Sequence, residues 1–399
     1  MNGNSLYIHI PFCIHRCGYC DFNTYAGLQG LIPAYSQALC AELEYLSQSV
    51  KGQLPIHTIY FGGGTPSLVT ANQLAEILST VKDYFNLQPS PEITLEANPG
   101  TVSCEYLSQV HRLGINRISF GMQSADQNEL ALLDRQHTYE DVLKAVRWSR
   151  KIGIDNLNLD LIFGLPSQTL DSWLKSVETA IALQPEHLSL YSLTLEHGTP
   201  LQRKVKTGIL PEPDSDTAAD MYEAASERLA KAGYIQYEIS NWALANKAGD
   251  QYSCKHNLQY WRNLPYLGVG AGAHGYINHY RTVNSATPGA YIRKMGKKVL
   301  GVAGSNRFPN TPATINMDHI DTDTEIGETM MMGLRLVLEG VSNQDFLQRF
   351  GKNLQEVFGN QIDRLISIGL LEWTGAIGKR LRLTKKGYLL GNQVFKEFI

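Results

Sequence analysis

A chain of 399 residues, 43% apolar and 18% charged, is long enough for one large α/β domain and a smaller second one. Its net charge of −3 is near neutral for that size and gives no reason to expect nucleic acid or an anionic membrane surface as the main partner. No apolar run approaches the roughly 18 uncharged residues of a membrane helix, and MNGNSLYIHIPFC lacks a basic segment followed by an apolar stretch, so the cytoplasm is the expected location.

The first half alternates β-rich runs with helical patterns. SLYIHI (from Ser5), HTIYFGG (from His57), EITLEANP (from Glu92), NRISFGM (from Asn116), NLNLDLIFG (from Asn156) and HLSLYSLT (from His187) read as strands. Apolar residues at three- and four-residue spacing predict helices over 34–50, 71–85, 104–113, 139–152 and 170–183. Repeated strand–helix units imply right-handed parallel crossovers. The expected fold is therefore α/β, an incomplete (β/α)6 barrel of TIM-like type, because six units are fewer than the eight that close one. Polar motifs fall at the C-terminal strand ends, where such barrels carry their chemistry: GGGTP, Glu96, Gln123 and Asp160.

From about Pro211 the pattern changes. PEPDSD opens a helix that runs to about Ala232, and the Gly-, Asn- and aromatic-rich stretch 234–280 shows little periodicity. Helices are expected again over 324–338, 343–350 and 354–368, then a hairpin from LLEWTG and KRLRLT, then a last helix over 385–398. Three helices and a hairpin predict a smaller C-terminal α+β, winged-helix-like domain. Its lack of a basic face favours packing or docking over DNA binding. The expected divisions are 1–232 for the barrel, 233–310 for a connecting segment and 311–399 for the C-terminal domain.

Of six cysteines, three crowd into CIHRCGYC as Cys13, Cys17 and Cys20, while Cys40, Cys104 and Cys254 are scattered. A clustered set reads as metal binding rather than as a disulfide framework. Spacings of four and three let one short loop wrap a single [4Fe–4S] cluster, with Gly18 giving the backbone room to turn. Three thiolates leave one iron open to a ligand. The alternatives are a zinc site, with His9 or His15 as fourth ligand, and buried free thiols.

CxxxCxxC with Tyr19 before its last cysteine, followed by GGGTP and a strand-end Glu, resembles the radical-SAM superfamily. From YIHIPFC through NLDLIFGLP to the C-terminal domain, the chain is similar to the branch that contains oxygen-independent coproporphyrinogen III oxidases and haem chaperones. The resemblance implies S-adenosylmethionine (SAM) at a [4Fe–4S] cluster, cleaved on one-electron reduction to a 5′-deoxyadenosyl radical. It implies that Gly63, Gly64 and Thr65 hold the methionine amino group and that Tyr7 contacts SAM near the cluster. Glu96, Gln123, Arg135 and Asp160 then surround the ribose and the methionine carboxylate. A carboxylate can accept ribose hydroxyls, and a guanidinium can grip a carboxylate with two donors.

Two features separate the branches. The oxidases carry a fourth cysteine two positions after the third, where this chain has Phe22, and an extra N-terminal segment for which this chain has no counterpart. Both departures argue against decarboxylation of coproporphyrinogen III, and no catalytic residue is assigned. HNLQYW matches the HNxxYW motif of the haem-chaperone branch, making His256, Asn257, Tyr260 and Trp261 candidate haem residues, with His274 and Cys254 as alternative ligands. Imidazole suits iron and flat aromatic faces suit the macrocycle; a packing histidine is the plainer alternative. The expected function is a haem chaperone carrying haem to an acceptor protein, with an electron donor for the cluster. Peripheral membrane contact stays open.

Overall fold

A computed structural model describes residues 3–50, 52–245, 252–296, 308–375 and 379–399. The chain forms two compact units: Met1–Arg228 with Pro265–Asp318, and Leu229–Leu264 with His319–Ile399.

The first unit is built around six strands and the five helices that alternate with them: β1 (Asn4–Ile10), α1 (Ile32–Gln48), β2 (Pro55–Gly63), α2 (Ala71–Tyr84), β3 (Asn86–Ala97), α3 (Cys104–Arg112), β4 (Arg117–Gln123), α4 (Tyr139–Lys151), β5 (Leu157–Phe163), α5 (Leu170–Ala182) and β6 (His187–Ser192). All five helices lie within two residues of their expected ends. Their starts are written locally: Thr70 with Gln73 and Thr138 with Asp141 form capping boxes at α2 and α4, and the Thr169 hydroxyl accepts from the Ser172 N–H at α5. The strands pair in parallel in chain order, β1 through β6. Inward and outward side chains are buried alike, as a sheet flanked by helices requires.

The barrel stays incomplete because the far edge of β1 is taken by another strand. β7 (Tyr266–Val269) pairs parallel with β1, followed by antiparallel β8 (His274–Ile277) and β9 (Tyr280–Asn284). β7 and β8 lie within the stretch 234–280, whose sequence shows little periodicity, and β9 begins at its end. Strands of four and five residues are too short to display alternation, and β8 is buried on both faces over its last three residues. Residues 246–251, in the same stretch, lie outside the described residues.

In the second unit, helix Thr322–Gly333, strand Val341–Ser342, helices Asn343–Phe350 and Leu354–Ser367, and strands Leu371–Thr374 and Arg380–Leu383 follow one another. The three strands stand in the order first, third, second. That is a winged-helix arrangement, and only its two-residue first strand was absent from the sequence expectation. Leu334, Phe346, Ile362, Leu381 and Phe395 meet in its core. The expected last helix is two pieces, Lys385–Leu389 and Gly391–Phe395, because Leu390 leaves helical geometry (φ −104°, ψ 15°) and a glycine follows it.

Candidate functional site

The cysteine loop is pinned at its base and its middle. Phe12–Cys13 pairs in parallel with Tyr25–Ala26. The Gly18 N–H donates to Leu133 O at 3.3 Å, and Gly18 O accepts from the Leu201 N–H at 2.8 Å. A Cβ on Gly18 would stand 2.5 Å from Asp134 Oδ2, so any larger residue there would have to displace that carboxylate. Within the loop, the Cys20 N–H donates to Cys17 O at 3.2 Å.

Each thiol meets a different segment. The Thr65 hydroxyl donates to Cys13 Sγ at 3.6 Å, Arg135 Nη1 donates to Cys17 Sγ at 3.5 Å, and Cys20 Sγ lies 3.9 Å from Thr24 Oγ1. Burial pushes the Cys13 and Cys20 thiols up, and their neighbours add to it: Cys20 and Cys17 act on Cys13, and Cys17 acts on Cys20. The three sulfurs therefore share one electrostatic environment. A coordinated metal reverses the direction, since a coordinating thiol is deprotonated outright. The donor set and its confinement to one loop fit a thiolate-held cluster.

The GGGTP turn is fastened to the strand that leads into this loop. The Gly64 N–H donates to Ile10 O and the Thr65 N–H to Phe12 O, both at 2.8 Å. A Cβ on Gly64 would lie 2.7 Å from Phe12 O, and Gly63 adopts φ +115° with the His9 ring 2.4 Å from its Cβ position. Both glycines are therefore required by the close packing of this turn on the strand that leads into the cysteine loop. Glu96 holds the turn from the third strand, accepting from the Gly63 N–H at 3.0 Å and from the Tyr60 hydroxyl at 2.7 Å.

Glu96 is pushed up to about 7, chiefly by burial, with the nearby Asp160 charge adding to it. Asp160 is also raised by burial; it accepts from the Ser119 hydroxyl at 3.0 Å and from Asn158 Nδ2 at 2.8 Å. Gln123 (φ +64°) and Arg135 converge on Gly121, whose Cβ position is 2.9 Å from Gln123 Nε2 and 3.1 Å from Arg135 Nη2. Arg135 Nη2 donates to Gly121 O at 2.9 Å. One face of this guanidinium's hydrogen bonding is therefore already given to the cysteine loop. Tyr19 ties the set together: burial raises its hydroxyl, and Arg135, Cys17, Cys20 and Asp160 all act on it.

The Tyr7 hydroxyl lies 2.9 Å from His9 Nδ1, and His9 Nε2 lies 3.0 Å from Asn23 O. A carbonyl can only accept, so Nε2 carries the proton and Nδ1 accepts from Tyr7. His9, a candidate zinc ligand by sequence, is here the partner of Tyr7. Its place two residues after Tyr7, on the same strand face, was the available signal. Gly121 and Asn23 had none.

HNLQYW forms the helix Lys255–Trp261 in the second unit. His256 is buried, with Nε2 2.8 Å from the Tyr260 hydroxyl and the rings edge-to-face at 4.9 Å. Asn257 is half-buried, and the Arg335 guanidinium lies 4.6 Å over the Trp261 ring. Cys254, buried at the helix start, donates its N–H to the Tyr237 hydroxyl at 3.3 Å. His274 belongs to β8 in the first unit, where it is exposed.

The sequence profile of the Radical SAM superfamily matches residues 7–180, and that of the HemN C-terminal domain matches 320–390. Heme chaperone HemW of Bacillus subtilis is 38% identical over 399 residues, covering 99% of both chains. Heme chaperone HemW of Mycobacterium tuberculosis is 37% identical over 99% of this chain and 94% of its own. The chain belongs to the HemW family of radical-SAM proteins. The solved structure of coproporphyrinogen III oxidase (HemN) from Escherichia coli superposes with a TM-score of 0.82, covering 100% of this chain and 90% of its own at 22% identity, a likeness of fold. Membership of the superfamily implies a [4Fe–4S] cluster and SAM. Among the described residues no helix is long and apolar enough to cross a membrane.

In the C-terminal unit of this HemW-family chain, Glu238 is fully buried and its carboxyl is pushed up to about 7 by burial, with the Arg335 charge opposing the rise. A carboxyl whose pKa is higher folded than unfolded holds its proton more tightly in the fold. Its contribution to stability is complete below its ordinary 4.5 and is lost as pH rises through 7. Glu238→Gln is expected to flatten that stretch, removing about 3 kcal/mol of pH-dependent destabilisation by pH ~8. Urea unfolding of both proteins at the two ends of the range measures this. Parallel stability curves would refute it.

Proposed function

We propose that this chain is a haem chaperone, binding haem and passing it to an acceptor protein while carrying a SAM-bound [4Fe–4S] cluster. The observation that carries the reading is near end-to-end similarity to proteins named as haem chaperones. Phe22, 64% exposed where the oxidase pattern has its fourth cysteine, supports it. In this reading Cys13, Cys17 and Cys20 hold the cluster. Tyr7, Gly63, Gly64, Thr65, Glu96, Gln123, Arg135 and Asp160 line the SAM site.

When bound, the reduced cluster and SAM supply one-electron chemistry. The chain's own residues contribute positioning and charge. Arg135 sets a cation against the Cys17 sulfur and lowers the cost of gathering thiolates in one loop. Glu96 keeps the glycine turn in register with the loop. His9 accepts a hydrogen bond from the Tyr7 hydroxyl and so fixes which way that hydroxyl points. In the second unit the HNLQYW helix offers His256 to iron and Tyr260 and Trp261 to the macrocycle. Ligation through His256 Nε2 requires its bond to Tyr260 to be given up.

Adding haem to the anaerobically reconstituted full chain is expected to give a saturable Soret band at micromolar concentrations, with His256→Ala weakening binding about tenfold. The same sample is assayed with SAM, a reductant and coproporphyrinogen III. Absence of haem binding sinks the carrier reading, and robust protoporphyrinogen formation replaces it with the oxidase activity.

A further inference from the structure

The C-terminal unit holds two buried donors, one on each member of a cation–π pair, with no acceptor among the described residues. Arg335 follows helix Thr322–Gly333, and its guanidinium lies 4.6 Å over the Trp261 ring and 5.5 Å from the Phe395 ring. Arg335 Nε–H and Trp261 Nε1–H are both shielded from solvent, and neither finds an acceptor among the described residues. A buried donor left unsatisfied costs about 1–3 kcal/mol, more on a charged group. Trp261 and Arg335 are each only half-buried as residues, so the stack reaches the surface while these two N–H groups are covered.

Glu238 does not fill the vacancy. Its Oε1 accepts from the Ser240 N–H at 3.0 Å and from Asn241 Nδ2, and its Oε2 has no donor among the described residues. It feels the Arg335 charge without bonding to it. Asn241 Oδ1 is likewise without a donor. The unit thus holds a cation stacked on an indole and, on that pair, two N–H donors for which no acceptor lies among the described residues.

We propose that Arg335 and Trp261 bind a ligand carboxylate, and that in the haem chaperone they hold a propionate side chain of haem. This rests on reading HNLQYW as part of the haem site. It adds to that motif a residue 74 positions beyond its last aromatic, through the Arg335–Trp261 stack. A guanidinium paired with a carboxylate makes charge-assisted hydrogen bonds of the stronger kind.

The test titrates the full chain, wild type and Arg335→Gln, with haem and with haem dimethyl ester, whose carboxylates are capped. Arg335→Gln is expected to weaken haem binding about tenfold and to leave ester binding unchanged. Arg335→Lys, which keeps the charge but not the fork, is expected to fall between. Equal loss for both ligands would show that Arg335 only supports the packing of Trp261, and no loss for either would remove it from the site; each overturns the proposal. Retained ester binding also shows that the variant folds. Failure of the wild type to bind either ligand overturns the haem reading itself and the propionate assignment with it.

Discussion

Cys17→Ser is expected to abolish the [4Fe–4S] cluster. Cys17 is the middle thiol of the loop and the one the Arg135 guanidinium faces at 3.5 Å. A hydroxyl is a far weaker ligand for iron than a thiolate, and two remaining thiols cannot clamp the cluster from one short loop. Iron and sulfide content after anaerobic reconstitution should fall at least about tenfold, together with the visible absorbance shoulder. Cys104→Ser is the matching control. Cys104 begins α3, outside the loop, and its replacement should leave the cluster intact. A normal EPR signal from reduced Cys17→Ser protein would mean that the ligands have been misassigned.

Glu42→Ala is expected to be the most destabilising single change among buried polar residues outside the site. Glu42, on α1, is fully buried. Its Oε1 accepts from Asn284 Nδ2 at 2.8 Å and the Thr311 hydroxyl at 3.0 Å, and its Oε2 accepts from the Gly270 N–H at 2.8 Å and the Tyr291 hydroxyl at 2.7 Å. The same knot reaches the cysteine strand, because the Tyr35 hydroxyl donates to His9 O at 2.8 Å and accepts from the Ala271 N–H at 2.7 Å. Removing the carboxyl strands four donors and opens a cavity, for a loss of about 4 kcal/mol. Glu42→Gln, isosteric but bringing two donors of its own, should lose about half as much. Chemical denaturation of the apoprotein measures both. A loss under about 1 kcal/mol for Glu42→Ala would mean that water replaces the carboxyl at no cost.

How much of this was legible depended on the range of the signal. The five barrel helices were readable because their periodicity runs for nine or more residues and four of them, α2 to α5, carry a side-chain cap within one turn. β7 to β9 were not, since each carries only four or five residues of pattern, and the winged-helix strand Val341–Ser342 carries two. The division of the last helix turned on one residue, Leu390, whose side chain gives no hint of the break.

The site divides in the same way. The sequence by itself determined the parts whose chemistry is set by spacing: three thiols in eight positions, side-chain-free backbone at GGGTP, and carboxylates at strand ends. Only the tertiary structure decided which of them meet. Arg135 reaches Cys17 across 118 positions, the Glu96 carboxylate closes on the Gly63 N–H across 33, and Glu42 collects donors up to 269 positions away. Parallel crossovers bring distant strand ends to one rim, and no local period records which oxygen will face which nitrogen there.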